Sequence, residues 1–254
     1  MPRLENITPL ILTWNEEPNL ARVLARLGWA REIVVVDSGS TDATCEMVRA
    51  HPGARLLTRT FDDHTSQWNF GVDAVTTPWV LALDADYVLG PDFENELAAL
   101  DDQVDAYEAG FRYLIFGRAL RGSLYPPRAV LFRKDRCRYV QDGHTQLLHV
   151  TGGRGRLRTL IDHDDRKPLT RWLSSQDKYS LLEAEKLLRA DPAALRLQDR
   201  LRLTGWAAVP AVAVHTLLVR GVILDGWRGW YYTLQRMLAE MLLALRLLEK
   251  RLNK

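Results

Sequence analysis

Two carboxylates spaced by one residue, Asp84-Ala85-Asp86, directly follow the apolar run Val80-Leu81-Ala82-Leu83. At the end of a buried strand, such a pair can address one hard cation. Mg²⁺ or Mn²⁺ takes oxygen ligands, and a diphosphate supplies the others. A cation there stabilises negative charge that builds on phosphate oxygens. A second acid, Asp37, closes the β-branched run Ile33-Val34-Val35-Val36 and opens the turn Ser38-Gly39-Ser40-Thr41-Asp42. Asp142-Gly143-His144 offers a carboxylate, or an imidazole whose intrinsic pKa lies near neutrality, as a general base. Asp-Gly is equally a turn signal. His163-Asp164-Asp165-Arg166-Lys167 offers His163 as a third metal ligand and Arg166 or Lys167 as a phosphate partner. A solvated loop leading into Pro168 at a helix start is the plainer reading of that segment.

These groups need a scaffold that gathers strand ends. The first hundred residues alternate strand and helix patterns. Strands are expected over Thr8–Thr13, Glu32–Asp37, Arg55–Thr58 and Val80–Asp84, with helices over Pro18–Leu27, Ala43–His51 and Thr65–Val75. Thr41 stands where it can cap the second helix. Continuous apolar strands separated by helices predict an α/β fold, a mostly parallel Rossmann-like sheet with helices on both faces. Ligands on such sheets sit beyond the carboxyl ends of the strands, where Asp37 and Asp84 fall. The middle predicts strands near Ala106–Arg112, Ala129–Phe132 and Leu157–Ile161, and the remainder reads as helical. We therefore expect a nucleotide-sugar-binding and catalytic core over 1–167 and a helical C-terminal appendage over 168–254.

The expectation of a nucleotide sugar comes from a resemblance. Thr13-Trp14-Asn15-Glu16-Glu17, Val35-Val36-Asp37-Ser38-Gly39-Ser40-Thr41-Asp42 and Asp84-Ala85-Asp86, in this order and spacing, resemble the motifs of family-2 glycosyltransferases. Gln67-Trp68-Asn69-Phe70-Gly71 is similar to that family's Gln-x-Asn-x-Gly/Ala helix, with Trp68 where Arg is often seen. Within the family the chain looks closest to the lipopolysaccharide-core glucosyltransferase branch. The resemblance implies a GT-A fold and an inverting, metal-dependent transfer of a hexose, glucose in this branch, from a UDP-sugar. It implies that Thr13, Asn15 and Glu16 line the nucleoside pocket and that Asp37 accepts a hydrogen bond from uracil. Gln67 and Asn69 would join the substrate-binding set. Asp84 would contact ribose or metal-bound water, and Asp86 would bind the metal. The acceptor would be a glycolipid or other membrane-linked glycan such as lipopolysaccharide core. Polyprenyl phosphate is the rival acceptor, and a non-catalytic nucleotide-sugar-binding protein the rival function. Many relatives in the branch carry His-Glu where this chain has His144-Thr145-Gln146.

Composition narrows the remaining classes. With 47% hydrophobic and 26% charged residues in 254, the chain is not a disordered one. Two cysteines, Cys45 and Cys137, make neither a disulfide framework nor a four-ligand zinc site, and they suit a reducing compartment. No Gly-x-Gly-x-x-Gly follows the first strand, which argues against a nicotinamide dehydrogenase. A formal charge of +2 argues against a dedicated nucleic-acid coat, and no nucleic-acid partner is expected. The charge is uneven, however: residues 192–254 carry a net +6 and the rest of the chain −4. In that basic tail Leu234, Met237, Leu238, Met241, Leu245 and Leu248 recur at helical spacing, with Trp227, Trp230, Tyr231 and Tyr232 at the helix entrance. Such a helix fits the inner face of the cytoplasmic membrane, or a second subunit in a homodimer. The N-terminus lacks a signal-peptide pattern. The most apolar stretch, 205–219, is shorter than the ~20 residues of a spanning helix. The chain is thus expected to be cytoplasmic and peripheral on the membrane.

Overall fold

A computed structural model describes residues 4–101, 103–142 and 145–253. The chain divides into two compact units, one of Met1–Leu114 with Tyr125–Arg166 and one of Ile115–Leu124 with Lys167–Lys254. The second unit thus takes in a ten-residue segment that nothing in its composition assigns to the tail.

In the first unit β1 (Ile7–Thr13), β2 (Ile33–Asp37), β3 (Ala54–Thr58) and β4 (Trp79–Asp84) run parallel, in the order β4-β1-β2-β3. They alternate with α1 (Glu17–Leu24), α2 (Thr44–Ala50) and α3 (His64–Ala74). Next come β5 (Tyr87–Leu89), α4 (Phe93–Ala99), β6 (Ala106–Ala109) and β7 (Phe111–Ile115). β8 (Arg118–Ala119) belongs to the second unit. β9 (Arg128–Arg133) joins β4 antiparallel and carries the sheet outward to β6 and then β12 (Arg154–Arg156). β10 (Cys137–Asp142) and β11 (Thr145–Val150) form a hairpin. β13 (Ile161–His163) lies between β5, antiparallel, and β7, parallel.

Alternation along the parallel strands fixes two cores. Ile7, Ile11, Ile33, Val35, Leu81 and Leu83 pack with Leu20 and Val23 of α1, Val48 of α2, and Phe93 and Leu97 of α4. Leu10, Val34, Val36, Val80 and Ala82 pack on the other face with Trp68 and Val72 of α3 and Tyr139 of β10. Both sets are buried, so these strands read as unbroken apolar runs. The fold is thus the expected α/β one, with a hairpin sharing the second face with α3.

Three local expectations are corrected. The run Ala106–Arg112 breaks at Gly110 into β6 and β7, which enter different sheets. Leu157–Ile161 is not one strand but the link between β12 and β13. There the Glu96 carboxylate takes the Arg158 and Thr159 amides, at 2.6 and 2.8 Å, which a ladder would otherwise use. Thr41 does not cap α2: the Thr44 amide donates to Asp42 Oδ1 at 3.0 Å, and the Thr41 amide donates to Asn15.

The second unit holds α5 (Leu169–Arg189), α6 (Leu197–Leu203), α7 (Ala208–Val214) and α8 (Trp227–Leu252). Ala184 and Leu187 of α5 pack on Leu243 and Leu247 of α8. Arg202 of α6 is held by Glu240 of α8 at 2.6 Å. Gly229 lets α8 start against the turn before it: a Cβ there would lie 1.8 Å from the Val222 carbonyl oxygen. Among the described residues, no helix is long and apolar enough to cross a membrane.

Candidate active site at the carboxyl ends of the strands

β1 and β2 pair in register so that Thr13 lies beside Asp37. The Asp37 side chain is fully buried, and four donors converge on it. The Gly39 and Ser40 amides donate to Oδ1 at 2.9 and 2.8 Å, and the Thr13 and Ser40 hydroxyls donate to Oδ2. Gly39 adopts φ +89°, which lets two successive amides face one oxygen. Burial alone would raise this carboxyl, but the Ser40 and Thr13 bonds outweigh it and hold the group below its usual value. A carboxylate has about four acceptor sites. Asp37 meets about that number of donors within the chain.

The first motif frames the same site. Asn15 has φ +52°, a conformation Asn tolerates better than most residues. Its amide donates to Ser40 Oγ at 2.7 Å and its Oδ1 accepts the Thr41 amide at 2.7 Å. The Glu16 amide donates to Thr44 Oγ1, and the Glu17 amide to Asp42 Oδ2. The start of α2 therefore satisfies amides at the start of α1, groups that any helix leaves orphaned. Glu16 Oε2 accepts from buried Asn19, which also donates to Asp165 Oδ1 and accepts the Arg166 amide. Arg22 and Arg166 both bind the carboxylate of Asp164, itself 3% exposed. Thr13, Asn15 and Glu16 thus tie two loops and the segment after β13 together, and the Arg166 guanidinium is drawn onto Asp164.

The antiparallel pairing of β5 with β13 sets His163 opposite Tyr87, one residue from Asp86. The Asp164 amide donates to the Asp86 carbonyl at 3.1 Å, and His163 Nε2 lies 3.3 Å from Asp86 Oδ2. Asp84 and Asp86 both act electrostatically on Tyr87 and Tyr125; among the described residues, no three His, Cys, Asp or Glu side chains gather as a metal site. The chain turns at Ala85-Asp86. The field of Asp84 also reaches Arg128. Burial disfavours the Arg128 charge, but Tyr125, Tyr87 and Asp84 outweigh it and raise its pKa.

Three tyrosines enclose His163, with the Tyr125, Tyr113 and Tyr87 rings 4.5, 4.7 and 5.4 Å from its own. Tyr87 and Tyr125 share a hydroxyl contact, and burial pushes both phenols well above their usual value. His163 Nδ1 is buried and has no hydrogen-bond partner among the described residues. Leaving such an atom unsatisfied costs about 1–3 kcal/mol, and a water would relieve it; the nitrogen that faces Asp86 is Nε2. A carboxylate with an imidazole is a donor set that Mn²⁺ accepts, so the pair fits a divalent cation completed by diphosphate oxygens.

Gln67 and Asn69 of α3 have structural partners. Fully buried Gln67 donates to Ser38 Oγ and accepts from Arg59. Asn69 pairs with the backbone of Tyr139, donating to its carbonyl at 3.0 Å and accepting its amide at 3.1 Å. Asn69 therefore pins the β10–β11 hairpin to α3. Asp142 ends β10 opposite Thr145, while its side chain and all of His144 lie outside the described residues. Asn69→Ala should speed amide exchange across 137–150 by about 10-fold, as loss of about 1–1.5 kcal/mol implies. Exchange mass spectrometry checks this, and unchanged rates would remove Asn69 from that role.

Tyr87, Tyr113, Tyr125 and Arg128 were not singled out by the sequence. The tyrosine that follows Asp-x-Asp and the Tyr-Pro-Pro-Arg run were the available signals, but aromatics in strands mostly fill cores.

A family model described as "Glycosyl transferase family 2" matches residues 10–160. The chain is 27% identical over 203 residues, 73% of each chain, to the lipopolysaccharide core biosynthesis glycosyltransferase LpsC of Rhizobium meliloti (strain 1021). Two solved structures share the fold at a TM-score of 0.54. One is S. aureus TarS 1-349 in complex with UDP-GlcNAc, at 14% identity, covering 98% of this chain and 92% of that one. The other is the mannosyltransferase PcManGT from Pyrobaculum calidifontis in complex with GDP-Man and Mn²⁺, at 16% identity, covering 99% and 89%. These likenesses establish the GT-A fold.

Proposed function

Because the chain belongs to glycosyl transferase family 2, we propose that it moves a hexose, glucose by preference, from a UDP-sugar to a membrane-linked glycan or lipid acceptor such as lipopolysaccharide core. The observation that carries this reading is the Asp86–His163 pair at the end of β4, set beside the frame that Asp37 organises. The likeness to LpsC supports the acceptor class, and the nucleotide sugars in the two solved structures support the donor class.

In this reading Asp86 and His163 hold a divalent cation, which when bound offsets charge on the leaving diphosphate. Asp84 and Arg128 would add opposite charges near the site, and the two interact with each other. The buried tyrosines exclude water around His163, which strengthens each electrostatic contact there. Inversion needs a base opposite the leaving group, and Asp142 or His144 would take the proton of the acceptor hydroxyl. An acceptor anchored in a bilayer would bring the protein to the inner face of the cytoplasmic membrane.

A thermal-shift panel of UDP-, GDP- and dTDP-sugars with and without Mn²⁺ tests the reading. A ligand at 100 times its Kd stabilises the folded state by about 2.7 kcal/mol, worth about 5–10 °C in a chain of this size. The expected result is a shift of that size for UDP-sugars with Mn²⁺ and a smaller one without the metal. No shift with any nucleotide sugar would overturn the proposal.

A further inference from the structure

Exposed large apolar side chains are concentrated in the second unit; in the first unit only Trp14, Phe61, Phe70, Val140, Leu147 and Leu160 are so placed among the described residues. Leu197, Trp206 and Leu252 stand apart, and several of the other most exposed ones cluster where the helical chain is interrupted. α7 ends in a wider turn, His215–Val219; a short turn, Val222–Asp225, follows, and α8 begins at Trp227. Across this break Leu218, Val219, Leu224 and Trp227 are 63%, 68%, 69% and 88% exposed. Fully buried Val222 anchors the turn from beneath, with Gly229 against its carbonyl. Gly221 and Gly226 reverse the chain at φ +71° and +59°. Phe116, 71% exposed, stacks on Tyr231 of α8 with ring centroids 5.3 Å apart. Its φ of +50° is costly for a bulky residue.

We infer that this turn, with Phe116 beside it, is a tip that inserts shallowly into an anionic lipid bilayer. Charge points the same way. From residue 205 to 239 the sole acid is Asp225, and Arg121 engages its carboxylate through both amide and side chain. Arg220 and Arg228 flank the apolar residues. Aromatic and aliphatic side chains with arginines at their rim match the depth profile of a bilayer surface. A second copy of the chain fits less well. A two-fold contact through this turn would bring Arg220 and Arg228 near their own copies. The inference rests on the membrane-linked acceptor above only for its purpose.

The test is co-sedimentation of the full chain with vesicles of phosphatidylcholine alone and of phosphatidylcholine mixed with phosphatidylglycerol, without any sugar substrate. The wild-type protein should bind the mixed vesicles, and added salt should weaken binding. The triple variant Leu218→Ser, Leu224→Ser, Trp227→Ser should lose about 10-fold or more in partitioning. The double variant Arg220→Gln, Arg228→Gln should lose about 10-fold or more on mixed vesicles alone. Circular dichroism and the melting temperature without ligand confirm that each variant is folded, and Trp227→Ala serves if the triple variant is not. No binding by the wild type, or equal binding by the folded variants, would overturn the inference. So would a wild-type dimer in analytical ultracentrifugation that the triple variant turns into monomer, since the face would then belong to a second copy. Failure of the transferase reading would appear in the nucleotide panel and leave vesicle binding untouched.

Discussion

Asp86→Asn should lower hexose transfer by about 10²–10³-fold while leaving the fold intact, the scale on which single electrostatic contacts to transition-state charge are lost. The substitution keeps shape and removes one charge from a carboxylate whose side chain is 10% exposed and 3.3 Å from His163 Nε2. Two measurements separate the causes. Steady-state rates with a UDP-sugar report the catalytic loss. Mn²⁺ titration in the presence of UDP, read by water-proton relaxation, reports whether the cation has lost its ligand. His163→Gln should weaken the same titration by about 10-fold or more, as loss of a neutral ligand or its support does. Turnover by Asp86→Asn within about 10-fold of wild type, well below the loss expected for such a contact, would sink the assignment of Asp86 to the cation.

Asp37→Asn should be the most destabilising conservative change in the first unit, by about 3 kcal/mol. The cause is a reversal of polarity: two amides and two hydroxyls donate to Asp37, and an Asn amide would present its own donors to some of them. The pH dependence follows from the direction of the shift. Asp37 is held below its usual value near 4. Its ionised form therefore contributes stability above that value, and the contribution is lost as pH falls through the folded pKa. Urea unfolding of wild type and variant should show a gap that is widest above about pH 4 and narrows towards pH 2. A gap that stays constant over that range would mean that the charge is not what the four donors recognise.

The sequence was most legible where burial acts on both faces of a strand. Ile33–Val36 and Val80–Leu83 are apolar at every position because alternate residues enter different cores, and both runs end in an acid. Boundaries set by one side chain were harder to read. Thr41 and Asp42 both have an oxygen suited to a helix start, and composition does not say which one the Thr44 amide will meet. The residues around 157–160 look like strand because Leu157 and Ile161 are buried. The carboxylate that replaces the ladder, Glu96, comes from an element more than sixty residues earlier. The site was legible as a list of parts more than as contacts. Asp86 and His163 meet through β5 and β13, three residues each, too short for any periodicity to register. The motif spacing singled out Asn15, Asp37 and Asn69, and their hydrogen bonds hold loops and a hairpin in place.

The interleaving of the two units has a consequence for how the chain is made. Arg121 and Leu124 leave the ribosome about a hundred residues before Asp225 and Tyr232, the side chains that accept their amides. At ordinary elongation rates that interval is about 5–20 s. For the later part of it the strands of the first unit are all available, while the loop cut out of their sequence waits for a unit not yet synthesised. A product truncated after Arg166 would carry that loop permanently without its acceptors, so the chain is best expressed whole.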